Sequence, residues 1–153
     1  MHIKRLPNVM RVTSKFIASL LPLQKASKLS PVLFPLPPNL KCDLPLLTDF
    51  LAALPHHVRF AFEFRHDSWF RDDVFASLHE ARVALCLAES EKLETPGVHT
   101  ADFSYIACGS RNTQPRFGRH SKEVLNLAQK REVLVYFKHE ETPEGALRAE
   151  ELL

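Results

Sequence analysis

The 153-residue sequence predicts an α/β protein made of βα units around a parallel sheet. Three observations carry this. Strand-like and helix-like patterns alternate, with successive strands roughly 20–30 residues apart. The run VALCLA at 83–88 is apolar without interruption, as in a strand buried on both faces by covering helices. Several strands end apolar and pass at once to polar residues: Glu63, Arg65 and His66; Glu89 and Ser90; Lys138, His139 and Glu140. In a parallel sheet these ends gather along one edge, where α/β proteins build their sites.

The elements follow in order. Val9, Val12, Phe16, Ile17, Leu20 and Leu21 recur at helical spacing and predict a helix over 8–22. The run 31–36 is a short strand, closed by Pro35, Pro37 and Pro38, which cannot donate to a ladder. Asp43 caps a helix to about Leu54, with Pro45 in its first turn and Pro55 ending it. Residues 58–64 form the second strand. Asp67 or Ser68 caps a helix over 70–81, with Val74, Phe75 and Leu78 on one face. Strands at 83–88, 103–108 and 133–137 follow, with a helix from about 120 to 130 between the last two. A final helix is expected from about Pro143 onward, and the loop 109–120 is polar and basic.

Apolar residues make up 45% of the chain and charged residues 25%, the balance of an ordinary globular domain. The net charge of +2 argues against a dedicated nucleic-acid binder. The first 28 residues carry His2, Lys4, Arg5, Arg11, Lys15, Lys25 and Lys28 and no acid, which reads as a solvated helix face. Cys42, Cys86 and Cys108 are far apart and odd in number, so neither a zinc site nor a disulfide framework is indicated. That usage suits a reduced, cytoplasmic setting. No apolar run reaches the ~20 residues of a membrane span. No phosphate-cradling glycine loop, nucleophile elbow or HExxH is present, and no cofactor is specified.

The richest stretch is 60–69, FAFEFRHDSW. Strand side chains alternate, so Phe60, Phe62 and Phe64 face one way and Ala61, Glu63 and Arg65 the other. An acid and a base on one face of an apolar strand need to pair or to do chemistry. Glu63 and Arg65 are therefore a pocket acid/base with an anion clamp, or a structural ion pair. His66 is a general acid/base candidate or a hydrogen-bonding loop residue. Glu89 is a second carboxylate with Arg65 as its partner, in a site or a structural pair. Trp69 packs the next helix onto the rim or offers a stacking surface. Tyr105 is a pocket hydroxyl or a satisfied core residue, and Asp102 a cap or turn residue. Lys138 and Glu140 share one side by alternation; with His139 they line the pocket or form a solvated loop.

Four segments, FAFEFRHDSW, VALCLAES (83–90), TADFSY (100–105) and VLVYFKHE (133–140), resemble signature segments of the family called domain of unknown function 72. HIKRL (2–6) and VLFPLPPNL (32–40) are similar to its pattern as well. The resemblance implies a (β/α) TIM-type barrel, here a partial one of about five βα units with the first strands of the barrel missing. It implies no established reaction. The family's Tyr-x-Arg pattern becomes Tyr105-Ile106-Ala107, so an expected pocket cation is absent, and Pro35 stands where a Gln is usual.

Two readings of function follow. In the first, a pocket at the strand C-termini binds or transforms a small polar substrate. Glu63, Arg65, His66 and Glu89 are the catalytic candidates; Trp69, Tyr105, Lys138, His139 and Glu140 are the substrate-binding ones. In the second, the chain is a non-catalytic fragment or the structural partner of a complementary N-terminal piece. A weaker alternative is nucleic-acid contact through the basic N-terminal helix with Arg111, Arg116 and Arg119. Open sheet edges predict self-association.

Overall fold

The computed structural model describes residues 6–88, 93–108 and 124–137. Glu89, Lys138, His139, Glu140, the loop 109–120 with its three arginines, and the expected C-terminal helix lie outside the described residues.

The chain begins with α1 (Leu6–Ser19) and α2 (Leu21–Lys25) where a single helix was expected. Pro22 is the reason. Inside one continuous helix its ring would clash with the preceding turn, whereas the first turn of a new helix needs no N–H from it. α2 closes with Lys28 N–H donating to the Leu23 carbonyl at 2.9 Å, across Ser27 in the left-handed region at φ 56°. β1 (Val32–Pro35) follows. Asp43 caps α3 (Leu44–Ala52), its Oδ1 accepting from Leu46 N–H at 3.1 Å.

β2 (Phe60–Glu63) leads into a 3-10 turn, Asp67–Trp69, and then α4 (Asp72–Glu80). The cap differs from expectation. His66 caps the turn, its Nδ1 accepting from Ser68 N–H at 3.2 Å, and α4 starts at Asp72 with no side-chain cap. Burial of the Trp69 ring draws residues 67–69 into the tight turn and delays the helix. Val83 N–H reaches the Leu78 carbonyl at 2.9 Å across Arg82, another left-handed residue at φ 55°, and the chain enters β3 (Ala84–Ala88). β4 (Phe103–Cys108) and β5 (Glu132–Phe137) complete the sheet, with residues 124–128 helical between them.

All four strand pairings are parallel, in the order β1-β2-β3-β4-β5. This is an α/β fold consistent with a partial TIM-type barrel. Alternation sorts the side chains into two layers. The outer one joins Val32, Phe60, Phe62, Phe64 and Leu85 to Ile17 of α1, Leu47 and Leu51 of α3, and Val74 and Leu78 of α4. The inner one holds Ala61, Ala84, Cys86, Phe103, Tyr105 and Ala107, with Leu33, Ala88 and Leu134 against them. Helices thus cover one face and leave the other to close on itself.

Side chains across the inner face show the curl. Arg59, just before β2, reaches Glu132 of β5 with both guanidinium amines, although two strands lie between. The same guanidinium sits 5.1 Å above the Phe103 ring centroid. At the start of β3, buried Thr100 donates to the Val83 carbonyl at 2.6 Å and accepts from Leu85 N–H at 2.8 Å, so its hydroxyl satisfies backbone groups that the ladder alone leaves open.

Candidate functional site

Glu63 is the last residue of β2 and, by alternation with Ala61, faces the inner layer. It is only 5% exposed. A carboxylate buried that deeply needs strong partners. Arg65, two residues on and on the same side, provides one: its Nε–H donates to Glu63 Oε1 at 2.9 Å. The Arg65 side chain is itself 45% exposed. One half of the pair is thus held in the sheet interior, and the other is partly in solvent.

The register places more groups beside this pair. Phe62 pairs with Leu85, which sets Cys86 next to Glu63, and Cys86 pairs with Tyr105 on β4. Tyr105 is buried and its hydroxyl hydrogen-bonds Tyr136 of β5, with the two rings stacked at 4.8 Å. The Tyr136 hydroxyl meets Ser30 Oγ at 2.7 Å. A polar line therefore crosses the inner face from Arg65 and Glu63 to Tyr105, Tyr136 and Ser30. Ala84, Ala88 and Ala107 lie in the same layer.

Burial pushes the Tyr105 phenol above its ordinary range, and Tyr136, Cys86 and Glu63 add to the rise in that order. The folded chain therefore holds this proton more tightly than the unfolded one. Its contribution to stability is complete below the ordinary tyrosine value of about 10 and is lost as pH rises toward the higher folded-state value. We expect Tyr105→Phe to flatten the alkaline limb of the stability–pH profile in urea titrations between neutral and strongly basic pH. An unchanged limb would count against this account.

His66 is a quarter exposed, and its Nδ1 faces both Ser68 N–H and the Asp67 carboxylate, the latter at 2.9 Å. A neutral ring accepts from Ser68; a protonated Nδ1 turns to Asp67 instead. Trp69 lies in the outer layer, 3% exposed, its ring parallel to Phe64 at 4.7 Å and its Nε1–H donating to the Leu40 carbonyl at 2.8 Å. Asp102 stands just before β4, at the opposite end of the sheet from Glu63. Glu89 follows the end of β3, and Lys138, His139 and Glu140 follow the end of β5, outside the described residues. Tyr136 was not singled out from the sequence. The alternation that groups Lys138 with Glu140 also carries Tyr136, and that signal could have found it.

A separate cleft of about 520 Å³ opens at the N-terminal ends of the strands, with Leu54, His56, Arg59, Glu80, Arg82 and Asp102 in its wall. In (β/α) barrels that end serves stability rather than chemistry. Here Arg59 is already committed to Glu132. Among the described residues no group of three His, Cys, Asp or Glu side chains is gathered to hold a metal ion. None of the described helices is long and apolar enough to cross a membrane.

Five parallel strands in sequence order, helices on one face and polar groups along the C-terminal edge define the chain as a protein of (β/α)-barrel type. It belongs to the family described as Protein of unknown function DUF72, whose model matches residues 1–153. Among solved structures it is similar to a DUF72 family protein from Thermotoga maritima MSB8, with a TM-score of 0.79 and 20% identity over 91% of this chain and 62% of that one. It is also similar to a DUF72 family protein from Enterococcus faecalis V583, with a TM-score of 0.75 and 18% identity over 90% of this chain and 64% of that one. At these identities the likeness is one of fold. The chain spans less than two thirds of the length of either. No curated protein matches it.

Proposed function

We propose that the inner face, at the C-terminal end of the sheet, binds a small polar molecule carrying a carboxylate or similar anion. The observation that carries this reading is the Glu63–Arg65 pair: a buried carboxylate holds the Nε–H of a guanidinium whose side chain is nearly half exposed. A planar guanidinium oriented in this way is suited to bidentate anion recognition. Glu63 then orients Arg65 and is the candidate acid/base, with the Tyr105–Tyr136 hydroxyls supplying neutral hydrogen bonds. His66 is a supporting polar group at the rim. Glu89, Lys138, His139 and Glu140, which follow β3 and β5 in the sequence, complete the proposed set.

The test is titration calorimetry of the 153-residue chain against a panel of small mono- and dicarboxylates, malate and glutamate among them. At least one is expected to bind. Arg65→Ala is expected to weaken it about tenfold or more, the loss of a charge-assisted bond. A panel without a binder, or a binder indifferent to Arg65→Ala, would remove this reading and favour the chain as a non-catalytic structural piece. Ala107 is the sequence feature that already leans that way, because it leaves Arg65 without the second pocket cation that the family pattern implies.

A further inference from the structure

The cleft at the N-terminal ends of the strands has two kinds of lining. Leu51, Leu54, Val58 and Phe60 give it an apolar floor, and all four are buried. Its exposed lining residues are polar: His56, Arg59, Glu80, Arg82 and Asp102. Arg59 is already neutralised by Glu132 and lies over the Phe103 ring. The side chains of His56, Glu80, Arg82 and Asp102 make no ion pair or hydrogen bond among the described residues. At about 520 Å³ the cleft falls within the roughly 300–1,000 Å³ of small-molecule sites.

Its charges are of both signs. Two helices end at the cleft: Leu51 lies in the last turn of α3, and Glu80 is the last residue of α4. Helix C-termini carry partial negative charge, and Glu80 and Asp102 add two full ones, a setting for an ammonium group. Arg82 supplies the opposite charge. It stands at φ 55°, in the left-handed region that glycine or asparagine occupies with less strain. Strained backbone kept by an unpaired arginine at a cleft points to a ligand, and a guanidinium matches a carboxylate in shape and charge. A lone anion here would meet Glu80, Asp102 and two helix C-termini. A lone cation would meet Arg82. A zwitterion answers both, and the apolar floor takes its side chain.

We propose that this cleft binds a free α-amino acid with an apolar side chain, leucine or phenylalanine in size. Arg82 takes its carboxylate, Glu80 and Asp102 its ammonium, and Leu51, Leu54, Val58 and Phe60 its side chain. The cleft lies at the opposite end of the sheet from Glu63 and Arg65, so the proposal does not depend on what the inner face binds.

Titration calorimetry of the 153-residue chain with leucine, phenylalanine, isocaproate and isoamylamine tests this. Isocaproate is leucine without its ammonium, and isoamylamine is leucine without its carboxylate. Leucine or phenylalanine is expected to bind in the millimolar range or tighter, with each half-molecule about tenfold or more weaker. Arg82→Asn is expected to weaken the amino acid by a similar factor. Its circular dichroism and melting temperature should not fall below the parent's, because asparagine accepts the left-handed turn. Glu80→Gln, at an exposed helix end, decides the matter by the same loss if Arg82→Asn misfolds. Arg65→Ala is expected to leave the affinity for leucine unchanged, which separates this cleft from the inner face. No binding of either amino acid overturns the proposal. So does isocaproate binding as tightly as leucine, which would mark a plain anion site. Binding unmoved by Arg82→Asn, or lost in Arg65→Ala, also overturns it and places the ligand elsewhere.

Discussion

Phe64→Ala is expected to lower the stability of the chain by about 3–5 kcal/mol, the usual cost of emptying a buried aromatic site. Phe64 is among the largest fully buried side chains. Its ring is sandwiched by context rather than by one neighbour: Trp69 lies parallel at 4.7 Å, and Phe62 tilts against it at 6.0 Å. Phe62 in turn touches Phe34 of β1 and Phe50 of α3, so the aromatic row ties three elements together. The 3-10 turn depends on the same contact, because Trp69 has its face on Phe64 and its Nε1–H on the Leu40 carbonyl. Against a total of about 5–15 kcal/mol, the loss is a large fraction. It should lower the melting temperature by roughly 10 °C. Trp69 is the only tryptophan of the chain, so its emission should shift to the red as the ring loses its apolar partner. Urea unfolding followed by that emission gives both numbers. A change under about 1 kcal/mol would mean that the row repacks, and would discard the claim that it anchors the rim.

Arg65→Ala is expected to cost about 1–3 kcal/mol, because it takes away a guanidinium that donates to a buried carboxylate. The lower part of that range is the better expectation. Arg65 is nearly half exposed, so water can enter where the guanidinium stood and recover part of the loss. Glu63→Gln is expected to cost less, since an amide is easier to bury than a carboxylate and its oxygen can still accept from Arg65 Nε–H. The double variant separates partnership from coincidence. Residues that touch couple by about 0.5–3 kcal/mol, so the combined loss should fall short of the sum of the single losses by that amount. Strict additivity would show that the pair is geometric only, and the reading of Arg65 as an oriented anion clamp would lose its basis.

Much of the sheet was legible in the residues. Alternation along FAFEF put the phenylalanines on one face and Glu63 with Arg65 on the other, and packing could only ratify that, because a one-residue slip would have exposed three aromatic rings. The unbroken run at 83–88 announced a strand buried on both sides, and β3 has helices outside it and Tyr105 within. Asp43 marked its helix start by local chemistry alone. Local rules failed where distant contacts decide. A periodic pattern at 8–22 hid the break before Pro22. The turn after β2 is capped by His66 because Trp69 must reach Phe64, and a cap rule cannot see that demand.

The candidate site divides in the same way. Period-two patterning put Glu63 and Arg65 together on the face opposite the phenylalanines, since side-chain direction in a strand is set by covalent geometry. Which of them meet was decided by register and curl. Cys86 stands beside Tyr105, Tyr105 stacks on Tyr136, Tyr136 reaches Ser30 more than a hundred residues earlier, and Arg59 crosses the sheet to Glu132. None of these pairings has a local signature, because each depends on how far the sheet bends before its inner side chains touch. The amino-acid sequence determined the βα order, the two faces of each strand and the family of this protein. The tertiary structure alone decided the polar line across the inner face, since it arises from which distant segments the bend of the sheet brings together.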